Sequence, residues 1–183
     1  MAHASAVMPY FIKPSINLNR DEKVQAYEEV IAQLDALIGP ETDVILKMSS
    51  INCLLKSALP YCYWVGFYMK SDNKLMVGPY QGTLGCLHIE IGQGVCGRVA
   101  ATGKTMIVED VHALSQGDEH IACDPNSQSE IVVPVIDHKG DLIAVFDVDS
   151  SVKSSFDELD QKYLEEIMES HFSKSPLSTH LKY

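Results

Sequence analysis

Three cysteines in turn-like settings are the residues of this chain best suited to chemistry. Cys86 follows a glycine, Cys96 precedes one, and Cys123 opens the polar turn Cys123-Asp124-Pro125. A thiol on an exposed turn can ionise, and the thiolate is its reactive form. Several such thiols in one small domain indicate chemistry by thiol oxidation and disulfide exchange.

The remaining cysteines and the histidines favour other roles. Cys53 lies in the apolar run 51–55, and both Cys53 and Cys62 are predicted to be core residues. Seven histidines accompany the five cysteines, but no C-x-x-C or H-x-x-x-H pair is present, so no metal site is predicted. His120 precedes Cys123 closely, where it either assists ionisation of the thiol or is an ordinary surface histidine.

Three carboxylates are expected to meet at one end of a predicted hairpin. The strand over 142–148 places Asp147 and Asp149 on one face. A turn over 137–140 brings Glu130, which opens the partner strand, close to both aspartates. On one interpretation, the carboxylates lie at strand ends exposed to solvent. On the other, they form the floor of a pocket that binds an ammonium group. Clustered carboxylates need a cation or a shared proton, and this need favours the pocket.

The aromatic segment 62–68 alternates with the period of a strand. One face carries Trp64, Gly66 and Tyr68. The other face carries Tyr63, Val65 and Phe67. Either both faces are core, or the gap at Gly66 between two aromatic rings is a slot for a small apolar group.

The glycine-rich loop 92–97 resembles a phosphate-binding loop only loosely. It lacks the Lys-Ser/Thr pair of a P-loop, so nucleotide binding by that route is not expected. Backbone N–H groups at the start of the following helix could still receive a carboxylate or lower the pKa of a cysteine.

Composition restricts the partners and the compartment. The 183 residues suffice for one domain, and 14 Lys plus Arg against 25 Asp plus Glu give a net charge of −11. Nucleic acids and anionic membranes need basic patches, so neither is expected as a partner. No run of about 18 apolar residues is present, and the first 20 residues do not resemble a secretory leader. The odd number of cysteines then favours a cytoplasmic protein in a reducing environment.

The order of hydrophobic patterns predicts an α+β domain. Short hairpins between strands imply a mostly antiparallel sheet, with helices from both termini on one face and ligand-binding loops on the other. The predicted helices cover 21–38, 42–58, 94–101 and 156–172. The predicted strands cover 62–69, 74–80, 88–91, 105–108, 130–136 and 142–148. The expected divisions are an N-terminal arm at 1–20, one catalytic domain at 21–172 and a disordered tail at 173–183.

Six stretches between about residues 20 and 172 together resemble the free methionine-(R)-sulfoxide reductases, a GAF-domain enzyme family. Three cysteines in register with these stretches make the resemblance specific, whereas the GAF fold alone is shared with many sensors. The stretches are Trp64-Val65-Gly66-Phe67-Tyr68, Gly78-Pro79-Tyr80-Gln81-Gly82, Gly94-Val95-Cys96-Gly97, His120-Ile121-Ala122-Cys123-Asp124, Ser129-Glu130-Ile131-Val132-Val133-Pro134 and Phe146-Asp147-Val148-Asp149-Ser150.

The resemblance implies a role for each candidate residue. Cys123 matches the nucleophile, Cys86 the main resolving thiol and Cys96 a second thiol that can join the exchange. The family pattern also implies the substrate-binding residues, which are Trp64, Tyr68, Glu130, Asp147 and Asp149. It further implies a six-stranded antiparallel sheet, often a homodimer, no bound cofactor, and an external thioredoxin-like dithiol that reduces the enzyme.

The expected activity is therefore reduction of free methionine-(R)-sulfoxide to methionine. Cys123 would become a sulfenic acid, and Cys86 would condense with it to a disulfide. Two competing hypotheses are a non-catalytic GAF sensor that binds a small molecule, and a redox sensor in which Cys86 and Cys123 pair without a substrate. Methionine release from the free sulfoxide discriminates among the three, because a sensor releases none.

Overall fold

The computed structural model describes residues 15–113 and 123–178, and this part of the chain forms four α-helices and one six-stranded sheet. The helices are α1 (Arg20–Ile38), α2 (Val44–Ala58), α3 (Gly94–Thr102) and α4 (Glu158–Met168). The strands are β1 (Trp64–Ser71), β2 (Lys74–Gln81), β3 (His88–Glu90), β4 (Met106–Val108), β5 (Ser129–Ile136) and β6 (Leu142–Ser150). These bounds confirm the predicted α+β element order.

The sheet has the strand order β3-β2-β1-β6-β5-β4, and every neighbouring pair is antiparallel. The two ends of the sheet are the short strands β3 and β4, while β1, β6 and β5 are central. Central strands are held by hydrogen bonds on both sides, so side chains at their ends are fixed more rigidly than loop side chains. All three predicted carboxylates lie on β5 and β6.

Each long helix begins at a polar cap that the sequence supplies. Asn19 caps α1, with Glu22 N donating to its side chain at 3.1 Å and Glu22 Oε2 accepting from Asn19 N at 2.8 Å. Asp157 and Asp160 form the same reciprocal pair of bonds at the start of α4, whereas at α2 only the side chain of Asp43 takes part and accepts from Leu46 N at 2.8 Å. These bonds satisfy backbone donors that a helix start leaves unpaired.

Two apolar clusters lie on opposite faces of the sheet. The larger one joins α1, α2 and α4 to Val65 and Phe67 of β1 and to Phe146 of β6. The smaller one joins α3 to the face of β1 that carries Trp64 and Tyr68. The predicted placement of the helices from both termini on one face of the sheet is thereby confirmed, while α3 packs on the other face.

Buried polar side chains tie α1 to α4 behind the larger cluster. Lys23 Nζ lies 2.5 Å from Asp160 Oδ2 and donates to the carbonyl of Ser155 at 2.9 Å. The hydroxyls of Tyr27 and Tyr61 donate to Asp160 Oδ1 at 2.9 and 2.6 Å. A buried ion pair persists only when its remaining hydrogen-bonding positions are satisfied, as they are here.

The prediction of a disordered tail is wrong for residues 173–178. The π-helical turn Glu169–Ser173 continues α4, and Ser178 then bridges to the start of α2. Val44 N donates to Ser178 O at 3.0 Å, and Ser178 N donates to Thr42 O at 2.8 Å. Residues 179–183 lie outside the described part of the chain, as does most of the predicted arm.

Two further expectations about buried side chains are corrected. Cys53 is exposed on α2, because Ile51 and Leu55 occupy the inward stripe of the helix and Cys53 lies between them on another side. Tyr63 belongs to the smaller cluster with Trp64, not to the opposite face, because regular strand geometry begins only at Trp64. Cys62 is buried in the larger cluster, as predicted.

No helix within residues 15–113 and 123–178 combines the length and the apolar character needed to cross a bilayer.

Candidate active site

A cavity of about 160 Å³ lies on the smaller-cluster face of the sheet. The ends of β1, β5 and β6 form its base, and the first turn of α3 and the loops that carry Cys86 and Cys123 form its walls. All eight candidate residues named from the sequence line this cavity, and they are Cys86, Cys96, Cys123, Trp64, Tyr68, Glu130, Asp147 and Asp149. Their convergence on one concave site makes it the candidate active site.

A disulfide bond joins Cys86 and Cys123 across the cavity wall. The two Cα atoms are 5.2 Å apart, and the residues are 37 positions apart in the sequence. Cys123 is exposed and Cys86 is half-buried. Both sulfur atoms therefore belong to turns near solvent, as the sequence predicts for reactive thiols.

Cys96 departs from the expectation of an exposed, ionisable thiol. It is 4 % exposed in the first turn of α3, and its Sγ donates to Glu130 Oε1 at 3.9 Å. Burial raises the pKa of the Cys96 thiol, and the negative charges of Asp147 and Glu130 raise it further. These effects outweigh any benefit from the helix start, so Cys96 is a neutral thiol at physiological pH.

The three carboxylates meet as the hairpin register predicts. Glu130 pairs with Asp149 across β5 and β6, and Val132 pairs with Asp147. Glu130 and Asp147 are 8 % and 5 % exposed, so these side chains are not strand ends in water. Side-chain oxygens of Glu130 and Asp147 lie within 4.8 Å of each other and of Cys96 Sγ. These three residues form the one group in the described part of the chain with the spacing of metal ligands.

Burial changes the protonation of all three acids. It raises the pKa values of Glu130 and Asp147, and the charge of Asp149 raises both further. Burial also raises the pKa of Asp149 to about 7, although a hydrogen bond from Ser127 acts in the opposite direction. The cluster therefore retains protons at neutral pH. Asp147 Oδ1 is buried and has no hydrogen-bond partner in the described structure, which is costly unless a ligand supplies a donor.

Stacked aromatic rings form the apolar wall of the cavity. Trp64 lies between Tyr68 and Tyr80, with ring centroids at 5.6 and 5.3 Å. A Cβ atom on Gly66 would lie 2.6 Å from Trp64 Cη2 and would also clash with Tyr80 Cβ. The slot predicted at Gly66 is thus filled by the Trp64 ring itself, and glycine is required for that ring to lie flat.

Asp124 is a site residue that the sequence did not single out. Its carboxylate accepts hydrogen bonds from the hydroxyl groups of Thr83 and Tyr63, the latter at 2.8 Å. Burial alone would raise the pKa of Asp124, but these bonds and the backbone N–H of Asn126 outweigh it and lower the pKa. Asp124 thus connects the loop of Cys123 to that of Cys86. The turn Cys123-Asp124-Pro125 was the available signal.

One predicted participant cannot be placed. His120 lies outside the described residues, so its suggested assistance to Cys123 stays a prediction.

Comparison with known proteins gives the class of this fold and site. Residues 54–170 match the family model for the GAF domain, and the chain is a GAF-domain protein. A Bacillus subtilis relative, Protein YtsP, is 43 % identical over 151 residues, covering 81 % of this chain and 90 % of that protein. The free methionine-R-sulfoxide reductase of Escherichia coli is 36 % identical over 146 residues, covering 80 % and 86 %.

A solved structure with a bound substrate is similarly close. The free methionine-R-sulfoxide reductase from Neisseria meningitidis, in complex with its substrate, is 38 % identical and superposes with a TM-score of 0.75. The match covers 86 % of this chain and 92 % of that one. The chain belongs to the free methionine-R-sulfoxide reductase family, an oxidoreductase family, as the sequence resemblance indicates.

Proposed function

We propose that this protein reduces free methionine-(R)-sulfoxide to methionine, with Cys123 as the nucleophile and Cys86 as the resolving thiol. The observation that carries the proposal is the position of the Cys86–Cys123 disulfide in the same cavity as three carboxylates, two of which, Glu130 and Asp147, are buried. A redox-active pair of thiols supplies the electrons, and the carboxylates supply both a binding site for a cation and protons. The names of the E. coli and N. meningitidis relatives support the choice of substrate.

The cavity is complementary to a free amino acid. The unpartnered Oδ1 of Asp147 is an acceptor placed to bind the substrate ammonium group together with Asp149. No side chain caps the start of α3 at Gln93, so its backbone N–H groups are available for the substrate carboxylate. The rings of Trp64 and Tyr68 face the methyl end. A peptide has no free ammonium and carboxylate at these two positions, which explains a preference for the free amino acid.

The chemical step transfers oxygen from the substrate sulfur to Cys123. The Cys123 thiolate attacks the sulfoxide sulfur, and a neutral carboxylic acid protonates the sulfoxide oxygen. Glu130 and Asp149 are the two candidates for this acid, because burial raises both pKa values. The hydroxyl group then passes to Cys123 Sγ while the substrate sulfur loses its bonds to Cys123 and to oxygen. Methionine is released with a reduced sulfur atom, and Cys123 is left as a sulfenic acid.

Resolution then converts the sulfenic acid to the disulfide. The Cys86 thiol attacks Cys123 Sγ, and the hydroxyl group leaves as water. Cys86 is favoured over Cys96 as the resolving thiol because it is bonded to Cys123 in this structure, whereas Cys96 is buried and neutral. An external dithiol of the thioredoxin type must then reduce the disulfide. The cytoplasmic location and the homodimer remain predictions.

Single-turnover chemistry tests the proposal directly. The fully reduced protein, freed of reductant, is mixed with excess free methionine-(R)-sulfoxide, and the released methionine is counted per chain. The parent protein and Cys86→Ser should each release about one methionine per chain. Cys123→Ser should release none. Full release by Cys123→Ser would refute the assignment of the nucleophile, and no release by the parent protein would favour a sensor.

A further inference from the structure

We propose that Leu84 and Leu87, which flank Cys86, form the docking surface for a protein dithiol of the thioredoxin class that reduces the Cys86–Cys123 disulfide. The inference depends on the function proposed above, because only an enzyme in turnover needs this bond reduced repeatedly. It adds to that function the place on the protein where its reductant binds.

The two leucines are unusually accessible for large apolar side chains. Leu84 is 81 % exposed, the highest value for a large hydrophobic residue in the described part of the chain, and Leu87 is 67 % exposed. Single exposed leucines are common, but this pair lies within two residues of a redox-active bond whose other half, Cys123, is also exposed. Apolar side chains grouped around a reactive group indicate a protein-binding surface.

The loop that carries the leucines is held in place from its inner side. Trp64 Nε1 donates to Thr83 O at 3.0 Å, and Val77 N donates to Leu87 O at 3.1 Å. Gly85 packs so closely that a Cβ atom there would lie 2.8 Å from Tyr68 Oη. The loop therefore cannot rotate to bury its leucines without losing these contacts, so their exposure is a fixed property of the site.

The segment of chain around Leu84 and Leu87 has no acidic or basic side chains other than histidine. Residues 75–89 contain no Asp, Glu, Lys or Arg, although the whole chain carries 14 basic and 25 acidic residues. The nearby carboxylate of Asp124 is occupied by Thr83 and Tyr63. A partner is therefore recognised here by apolar contact and not by ion pairs, and docking should depend only weakly on salt.

Reduction by the docked partner balances as ordinary thiol–disulfide exchange. A thiolate of the partner attacks one sulfur of the Cys86–Cys123 bond, which forms a mixed disulfide and releases the other cysteine as a thiolate. The second thiol of the partner then breaks the mixed disulfide. The partner ends as a disulfide, and Cys86 and Cys123 both end as thiols, with the two protons supplied by the dithiol.

A comparison of two reductants separates docking from chemistry. Leu87 does not line the cavity, so Leu87→Asp and the milder Leu87→Gln are compared with the parent protein and with Leu37→Asp, a control at an equally exposed leucine on α1. Steady-state turnover is measured with a thioredoxin system and with dithiothreitol. In both Leu87 variants kcat/KM for thioredoxin should fall, by about tenfold in Leu87→Asp, and turnover with dithiothreitol should not change.

Two outcomes would overturn the docking surface. Parent-like turnover with thioredoxin in both Leu87 variants would show that the leucine makes no productive contact. An equal loss with thioredoxin and dithiothreitol would show that it acts on the chemistry and not on docking. Methionine release in a single turnover uses no partner, so failure of the proposed function would be seen separately from failure of the docking surface.

Discussion

Glu130 on β5 lies directly opposite Asp149 on β6, and both residues line the same cavity. Two carboxylates in this cross-strand position repel each other. Burial raises the pKa of both groups, to about 7 for Asp149 and well above the usual value for Glu130. The pairing therefore keeps a proton in the cavity at neutral pH, as the proposed protonation of the sulfoxide oxygen requires.

The raised pKa of Asp149 predicts a specific pH dependence of stability. Between pH 4 and pH 7 the folded protein holds a proton on Asp149 that the unfolded chain has released, so the free energy of unfolding falls as pH rises. One such proton contributes a slope of at most about 1.4 kcal/mol per pH unit. Asp149→Asn should flatten the slope in urea unfolding, whereas Asp141→Asn, on an exposed turn, should not. An unchanged slope in Asp149→Asn would contradict the assignment.

The burial of Cys96 predicts the order in which thiols react. In the reduced protein, iodoacetamide should modify Cys86 and Cys123 faster than Cys96. Burial raises the pKa of the Cys96 thiol and blocks access of the reagent to it. Cys53 is an exposed thiol and serves as an internal reference, while Cys62 serves as a buried one. Peptide mapping by mass spectrometry measures the order. Early modification of Cys96 would mean that α3 opens readily.

The carboxyl group of Asp147 should strengthen substrate binding and lower the stability of the free protein against unfolding. Asp147→Asn removes a carboxyl group that can give up its proton and become charged when the substrate ammonium binds, and KM for methionine sulfoxide should rise roughly 10- to 100-fold. The free protein should unfold at an equal or higher temperature, because a buried carboxyl without a full set of partners is replaced by a neutral amide. Kinetics and thermal unfolding measure the two effects, with Asp141→Asn as the control. A fall in both affinity and stability would indicate a structural role.

Gly66→Ala should displace the only tryptophan of the chain. The added methyl group would overlap the Trp64 ring and Tyr80, and overpacking of this kind costs about 1–3 kcal/mol. Trp64 fluorescence should change together with stability, because Trp64 is the single tryptophan. Gly78→Ala is the milder comparison, because the added Cβ would meet Met69 Cγ at 2.9 Å and Phe67 O at 3.1 Å and would not touch the Trp64 ring. Parent-like fluorescence in Gly66→Ala would contradict the packing described.

The sequence predicted those features of the site that follow from strand geometry. Alternation along β6 put Asp147 and Asp149 on one face, and a short turn fixed the hairpin that brings Glu130 to them. The same period put Trp64 and Tyr68 together. Such relationships need only local backbone geometry and a known register, so they could be read from the residues.

Features that depend on packing between distant elements could not be predicted. Cys96 precedes Gly97 and follows a glycine-rich loop, so it looks like a turn residue, but the packing of α3 against β5 and β6 buries it. The interpretation of Gly66 as a slot for an apolar group was wrong, because stacking on Tyr68 and Tyr80 sets the direction of the Trp64 ring. Local periodicity contains no information on how a ring or a helix packs across the sheet.

The ring of chain that the Cys86–Cys123 bond closes has an energetic consequence for the reaction cycle. Closing a segment of 37 residues removes freedom from the unfolded chain that is worth about 4 kcal/mol. In the proposed cycle, consumption of one sulfoxide closes this ring and each reduction opens it again. The disulfide form, which follows substrate reduction, is then the more resistant to unfolding. The dithiol form, which is ready for the next substrate, is the less stable of the two.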